Sequence, residues 1–164
     1  MRKKGTYSID EQDNPKDTIV NEPAQALYGK TLSASSILMI NNFDMSEPLE
    51  RIHVFRNGLS KQSFNKLKEA TGLDYNKLAA ALAVSPKTLQ RKDTFDVVQS
   101  EKMYHLADLY AIGIEYFGDE GFKRWMSRPL FSIGNIKPID LIDVSEGVEI
   151  LKKEILRVQH GIAI

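Results

Sequence analysis

Six consecutive positions, Lys87-Thr88-Leu89-Gln90-Arg91-Lys92, carry most of the side-chain chemistry in this chain. A guanidinium or ammonium donates to guanine O6 and N7, a carboxamide pairs with adenine, and threonine reaches a phosphate or the thymine methyl. Such a set reads base edges only if one rigid element presents it. Ser85-Pro86 just upstream has the form of a helix start, with serine as N-cap and proline at the first helical position, where its missing N–H is not needed. Asp74 caps a preceding helix over about Tyr75 to Leu82. Two short helices joined by a three-residue turn must cross steeply, so a small residue has to face the partner helix. Ala79 meets that need, while Leu78, Leu82, Val84 and Leu89 form the wedge, and Ala83 stands in the turn where glycine is often found. The pattern predicts a helix-turn-helix whose second helix enters the major groove. The candidate DNA-contacting residues are Asn76, Lys77, Ser85, Lys87, Thr88, Gln90, Arg91 and Lys92. Lys61, Lys66 and Lys68 lie near enough in sequence to add backbone contacts.

A solvated helical hairpin would show the same spacing, and charge is what separates the two. The 164 residues hold 22 Lys+Arg and 22 Asp+Glu, a formal net charge of 0 that taken whole argues against nucleic acid. The distribution reverses that inference. Residues 51–92 contain 9 basic and 2 acidic side chains, net +7, against 5 and 8 (net −3) in residues 1–50 and 8 and 12 (net −4) in residues 93–164. The helix-turn-helix sits in the basic segment.

Enzyme chemistry finds no footing. There is no Cys, hence no thiolate nucleophile or zinc-thiolate site, and His53, His105 and His160 lack metal-ligand spacing. No glycine-rich phosphate loop occurs. The acidic pairs Asp119-Glu120 and Asp140/Asp143 read as solvated helix starts, and Trp125 and Phe131 as core rather than a ligand cage. No cofactor and no metal are expected. No window approaches 18 continuous apolar residues, and the basic start lacks an apolar signal core, so a soluble cytoplasmic protein is expected.

The elements that must position these residues are helical. Residues 1 to about 30 are poor in large apolar side chains and read as mobile or loosely attached. The short apolar run from Ser36 to Phe43 suits a docking strand or a helix turn, expected to cover the domain's own core, with a partner-binding strip as the alternative. Leu49, Ile52, Phe55 and Arg56 suggest a short turn before Asn57-Gly58. Ser60 caps a helix through about Thr71, stopped by Gly72, with Phe64 and Leu67 inward. A longer helix covers about Ser100 to Phe117 and ends at Gly118, and a short one near Gly121 to Ser127 carries Phe122 and Trp125. Pro129, Gly134 and Pro138 break the next stretch. A last helix over about Ser145 to Gln159 shows apolar steps of three and four, with His160 as its cap and Gly161 just past its end. The fold class is all-α, divided as a partly mobile extension (1–48), a helix-turn-helix domain (49–98) and a second small helical domain (99–164).

The second domain carries a more specific string. Phe122, Trp125, Pro129-Leu130, Ser132-Ile133-Gly134, Lys137-Pro138-Ile139-Asp140-Leu141-Ile142, Glu146-Gly147 and Leu156-Arg157-Val158-Gln159-His160-Gly161 resemble the toxin-binding domain of Xre/MbcA/ParS antitoxins. That family places this domain behind a Xre-like helix-turn-helix, so the resemblance covers about residues 49–164. It implies a type II antitoxin that holds a RES-domain, NAD-degrading toxin inactive, binds operator DNA to repress its own operon, and forms a homodimer. It does not make the antitoxin an enzyme. The first 48 residues have no counterpart in shorter members. Within the resemblance, the candidate toxin-binding residues are Arg124, Arg128, Lys137, Lys153, Arg157, His160, Gly161, Ile162 and Ile164, with the tail or the Ser127–Pro138 loop expected to obstruct the toxin's NAD cleft. A stand-alone helix-turn-helix regulator with a dimerising or sensing C-terminal domain is the alternative.

Overall fold

Side-chain caps set most of the helix boundaries. A computed structural model of the chain describes residues 31–161. The expectations for residues 1–30, Ile162 and Ile164 lie outside these residues. Among the described residues there are eight α-helices: α1 (Ala34–Leu38), α2 (Pro48–Asn57), α3 (Lys61–Thr71), α4 (Tyr75–Ala81), α5 (Pro86–Arg91), α6 (Val97–Phe117), α7 (Asp119–Ser127) and α8 (Ser145–Gln159). Two short 3-10 turns, Phe131–Ile133 and Pro138–Asp140, lie between α7 and α8. Two isolated β-bridges are the extended pairing among these residues, and the all-α class stands.

Ser60, Asp74 and Ser85 each accept a backbone N–H three residues on, from Ser63, Lys77 and Thr88, which satisfies a donor that has no partner within the helix. Gly72 closes α3 in the left-handed conformation at φ 65. These ends match the sequence reading. Two others do not. The segment read as a short turn at Leu49–Arg56 is the ten-residue α2, opened by Pro48 at its first turn. Its pattern is a poor helical signature because Leu49 and Ile52 face solvent while Val54 and Phe55 face inward. The long helix starts at Val97 rather than near Ser100, because Asp96 caps it by accepting from the Gln99 N–H.

Helix α6 is the axis of the fold and packs against α1, α2, α3, α7 and α8. Its buried residues include Met103, Leu106, Ala107, Leu109, Tyr110 and Ala111, which surround more than one side of the helix. Helix α1 buries Ala34, Ile37 and Leu38 and lies on α3 and α6, so the apolar run near residue 37 covers the core as expected. An aromatic cluster fixes the α6–α7 corner: Tyr110 meets Phe122 edge-on at 5.1 Å, and Phe122 stacks on Trp125 at 5.7 Å. Gly113 leaves the space that the Phe122 ring fills, since a Cβ there would lie 2.2 Å from it. Lys152 on α8 reaches Asp108 on α6 at 3.1 Å and Glu149 at 2.7 Å, tying the two longest helices together. No helix among the described residues is long and apolar enough to cross a membrane.

Candidate functional site

The α4–α5 unit is built as its sequence requires. Leu78, Ala79, Leu82 and Leu89 are buried between the two helices, and Val84 packs against them half-buried. The turn closes through Ala83 N–H to the Ala80 carbonyl (3.0 Å) and Val84 N–H to the Ala79 carbonyl (2.9 Å). Ala83 sits at φ 54, in the left-handed region that favours glycine, so the residue noted in the sequence does occupy the glycine-type position. The exit from α5 is stitched to the rest of the domain. Phe95 N–H donates to the Leu59 carbonyl (2.9 Å), and the buried Ser100 hydroxyl accepts from Leu59 N–H (2.8 Å) while donating to the Phe95 carbonyl (3.1 Å).

On this frame α5 presents Lys87, Thr88, Gln90 and Arg91 to solvent. Lys87 and Arg91 are one turn apart on one face. Asn76 is exposed in the first turn of α4. Ser85 is partly committed already, as the cap of α5 and through its 2.8 Å contact with the Thr88 hydroxyl. Two expected contacts are turned elsewhere. The Lys92 ammonium folds back onto Asp96 (3.1 Å), Gln99 and the Phe95 ring rather than continuing the outward row. Lys77 donates to Asp140 at 2.9 Å. Of the neighbouring lysines, Lys61 donates to the last carbonyls of α5, at Leu89 (2.8 Å) and Gln90 (3.2 Å), where a cation also suits the helix dipole. Lys66 pairs with Glu69.

The second candidate surface lies between α7 and α8. Leu130 and Ile136 form an antiparallel bridge, with Leu130 N–H donating to the Ile136 carbonyl (3.0 Å) and Asn135 N–H to the Leu130 carbonyl (2.9 Å). Gly134 and Asn135 both take positive φ, 78 and 65, to turn the chain at its tip. The Ser132 hydroxyl donates to Glu154, a carboxylate only 8% exposed on α8, and Arg157 donates to the same carboxylate at 3.2 Å. Arg124, Arg128, Lys137 and Lys153 are exposed, and no ion pair joins any of them to another described residue. Arg157 is half-buried against Glu154 and is less available than expected. His160 caps α8, and Gly161 follows at φ 70. Trp125 is buried as expected, but Phe131 is not core: it is 86% exposed. The alternation around it explains why, since Leu130 and Ile133 on either side turn inward and the 3-10 turn leaves Phe131 outside.

A family model described as the antitoxin Xre-like helix-turn-helix domain matches residues 50–108. A second, the antitoxin Xre/MbcA/ParS C-terminal toxin-binding domain, matches residues 113–161. The chain belongs to the Xre/MbcA/ParS antitoxin family. The antitoxin is also similar to a Sphingobium sp. (strain YBL2) protein named Prs ADP-ribosylating antitoxin, at 26% identity over 132 residues, covering 71% of this chain and 82% of that one. Both modules of the antitoxin run through α6, which holds the end of one match and the start of the other.

Three participants escaped the sequence reading. Phe131 was hidden because an aromatic residue beside a tryptophan-bearing helix reads as core. Glu154 lies on the inward face of α8 among Leu151 and Ile155, where an acid at that phase was the available signal. The Lys77–Asp140 pair spans 63 positions and had no local signature.

Proposed function

We propose that this antitoxin binds a RES-type, NAD-degrading toxin through its C-terminal domain, holds it inactive, and represses its own operon as a homodimer through α5. The observation that carries the DNA reading is the exposed row Lys87, Gln90 and Arg91 on the second helix of a closed helix-turn-helix within a segment of net +7 (9 basic against 2 acidic, residues 51–92). A homodimer suits such modules, in which two recognition helices meet successive turns of a two-fold operator. The basic residues Arg124, Arg128, Lys137 and Lys153 on the α7–α8 side supply the toxin face, together with the end of α8 at His160 and Gly161. The antitoxin itself performs no catalytic step in this scheme and acts where its operator is.

The Sphingobium relative is named an ADP-ribosylating antitoxin, and we read that chemistry, which draws on NAD, as belonging to the toxin it neutralises. This supports an NAD-consuming toxin and defines a second reading, in which the toxin transfers ADP-ribose to a protein rather than releasing it. Co-expression of the antitoxin with the product of the adjoining reading frame tests the proposal. Expected are co-purification of the two proteins and preserved cellular NAD, with NAD depletion when the neighbour is expressed alone. Covalent ADP-ribose on a host protein would select the transferase reading. Neither capture nor NAD loss would overturn both.

A further inference from the structure

We propose that Phe131 is the anchor residue of the toxin interface, inserting into an apolar pocket of the toxin whose rim is acidic. The inference rests on the proposed function and names the residue that carries it.

Isolated exposed apolar side chains are ordinary on protein surfaces, so exposure alone carries nothing. Phe131 differs in its company and its mounting. It projects from the 3-10 turn just above the base of a short hairpin, inside the segment matched as a toxin-binding domain. Ile136, across the base of the same hairpin, is 43% exposed, so the hairpin offers a second apolar side chain. Arg128 and Lys137 stand at the two ends of the hairpin, both exposed and neither ion-paired to a described residue. An aromatic centre with cationic edges is the composition of an interface hot spot, where an apolar contact is ringed by polar groups that exclude water.

The hairpin is also held in one shape before any partner arrives. The Leu130–Ile136 bridge closes its base, Gly134 N–H donates to the Phe131 carbonyl at 3.1 Å, and the Ser132 hydroxyl is held by the buried Glu154. Ile133 packs inward on the side opposite Phe131. A side chain presented from a fixed backbone loses little further conformational freedom on binding, which favours a tight, slowly dissociating contact. The cations at the rim set the sign of the partner: an acidic margin is attracted, and a second copy of this same basic hairpin is repelled.

The test measures dissociation of the full-length antitoxin from the protein encoded by the adjoining reading frame, captured as a preformed complex, by biolayer interferometry. Phe131→Ala should speed dissociation by at least about 30-fold, the lower bound for a hot spot. Phe131→Trp should stay within about 5-fold of wild type, and the melting temperature and operator affinity should not move. Arg128→Glu should instead slow association and flatten its salt dependence. Dissociation of Phe131→Ala within about 3-fold of wild type overturns the inference while leaving the proposed function intact. A change in the self-association of Phe131→Ala without a change in toxin dissociation also overturns it, in favour of a second copy as occupant. Failure of the wild-type chain to capture the neighbour overturns this inference and the proposed function together.

Discussion

Lys77 Nζ lies 2.9 Å from Asp140 Oδ1, so the first turn of α4 is joined to the second 3-10 turn of the toxin-binding domain. Both side chains are about half exposed, at 45% and 49%, and the hydrogen bond from Lys77 holds the Asp140 carboxyl below its usual range. In the proposed operator complex, a DNA phosphate and Asp140 compete for one ammonium. Asp140→Ala should therefore free Lys77 for the backbone and strengthen operator binding, steepening the salt slope by up to about one unit, whereas Lys77→Ala should weaken binding uniformly across sequences. Isothermal titration at several salt concentrations reads both; equal affinities of the wild type and Asp140→Ala would mean that Lys77 stays off the DNA.

Lys87→Ala and Arg91→Ala should each cost about 1–3 kcal/mol of operator affinity and relax base preference, because both sit on the exposed face of α5 and neither has an intramolecular ion-pair partner among the described residues. Toxin neutralisation should survive both changes. Fluorescence anisotropy on the operator, with a toxin-protection assay alongside, separates loss of the DNA face from loss of the fold.

Gly147→Ala inverts the usual helix rule. In a helix interior alanine normally stabilises relative to glycine by roughly 0.5–1 kcal/mol. Here a Cβ would stand 1.9 Å from the Leu141 carbonyl oxygen, a backbone atom with nowhere easy to go. A net loss of about 1–3 kcal/mol is expected, as for other overpacked sites. Thermal denaturation measures it, and an unchanged or raised melting temperature would contradict the close approach of α8 to the Leu141 turn.

Removal of residues 160–164 asks whether the chain end takes part in silencing the toxin. His160 follows the last turn of α8 and Gly161 redirects the chain at φ 70, so the cut leaves the helix itself intact. The expected result is NAD loss with the truncated antitoxin and toxin together; full protection would assign the block to the hairpin instead.

Much of the fold was legible because its punctuation is chemical. Ser60, Asp74, Ser85, Gly72 and Gly118 mark ends that the hydrogen bonds then respect, and Ser145 to Gln159 is α8 to the residue. Legibility failed where burial and periodicity part company. Helix α2 exposes Leu49 and Ile52, so no apolar stripe announces it, and Asp96 caps α6 ahead of the residues whose spacing revealed that helix. At the sites, residue type was a fair guide to the outward row on α5 and a poor one where side chains fold back. Lys92, Lys61 and Arg157 each satisfy a neighbour instead of a partner molecule, and that choice is made by tertiary geometry.

Helix α6 carries a constraint of phase. The helix-turn-helix match ends at residue 108 and the toxin-binding match begins at 113, yet no hinge separates them, because Val97–Phe117 is one unbroken helix. Each residue added to such a helix rotates the C-terminal portion by about 100° and advances it about 1.5 Å. A chimera that grafts a foreign toxin-binding half at this junction must therefore keep count, like a gear on a shared shaft. An insert of seven residues returns the graft close to its original bearing but displaced by about 10 Å, while an insert of two points it to the opposite side of the shaft. The bearing of the toxin-binding half relative to the helix-turn-helix is thus written in the residue count of one helix.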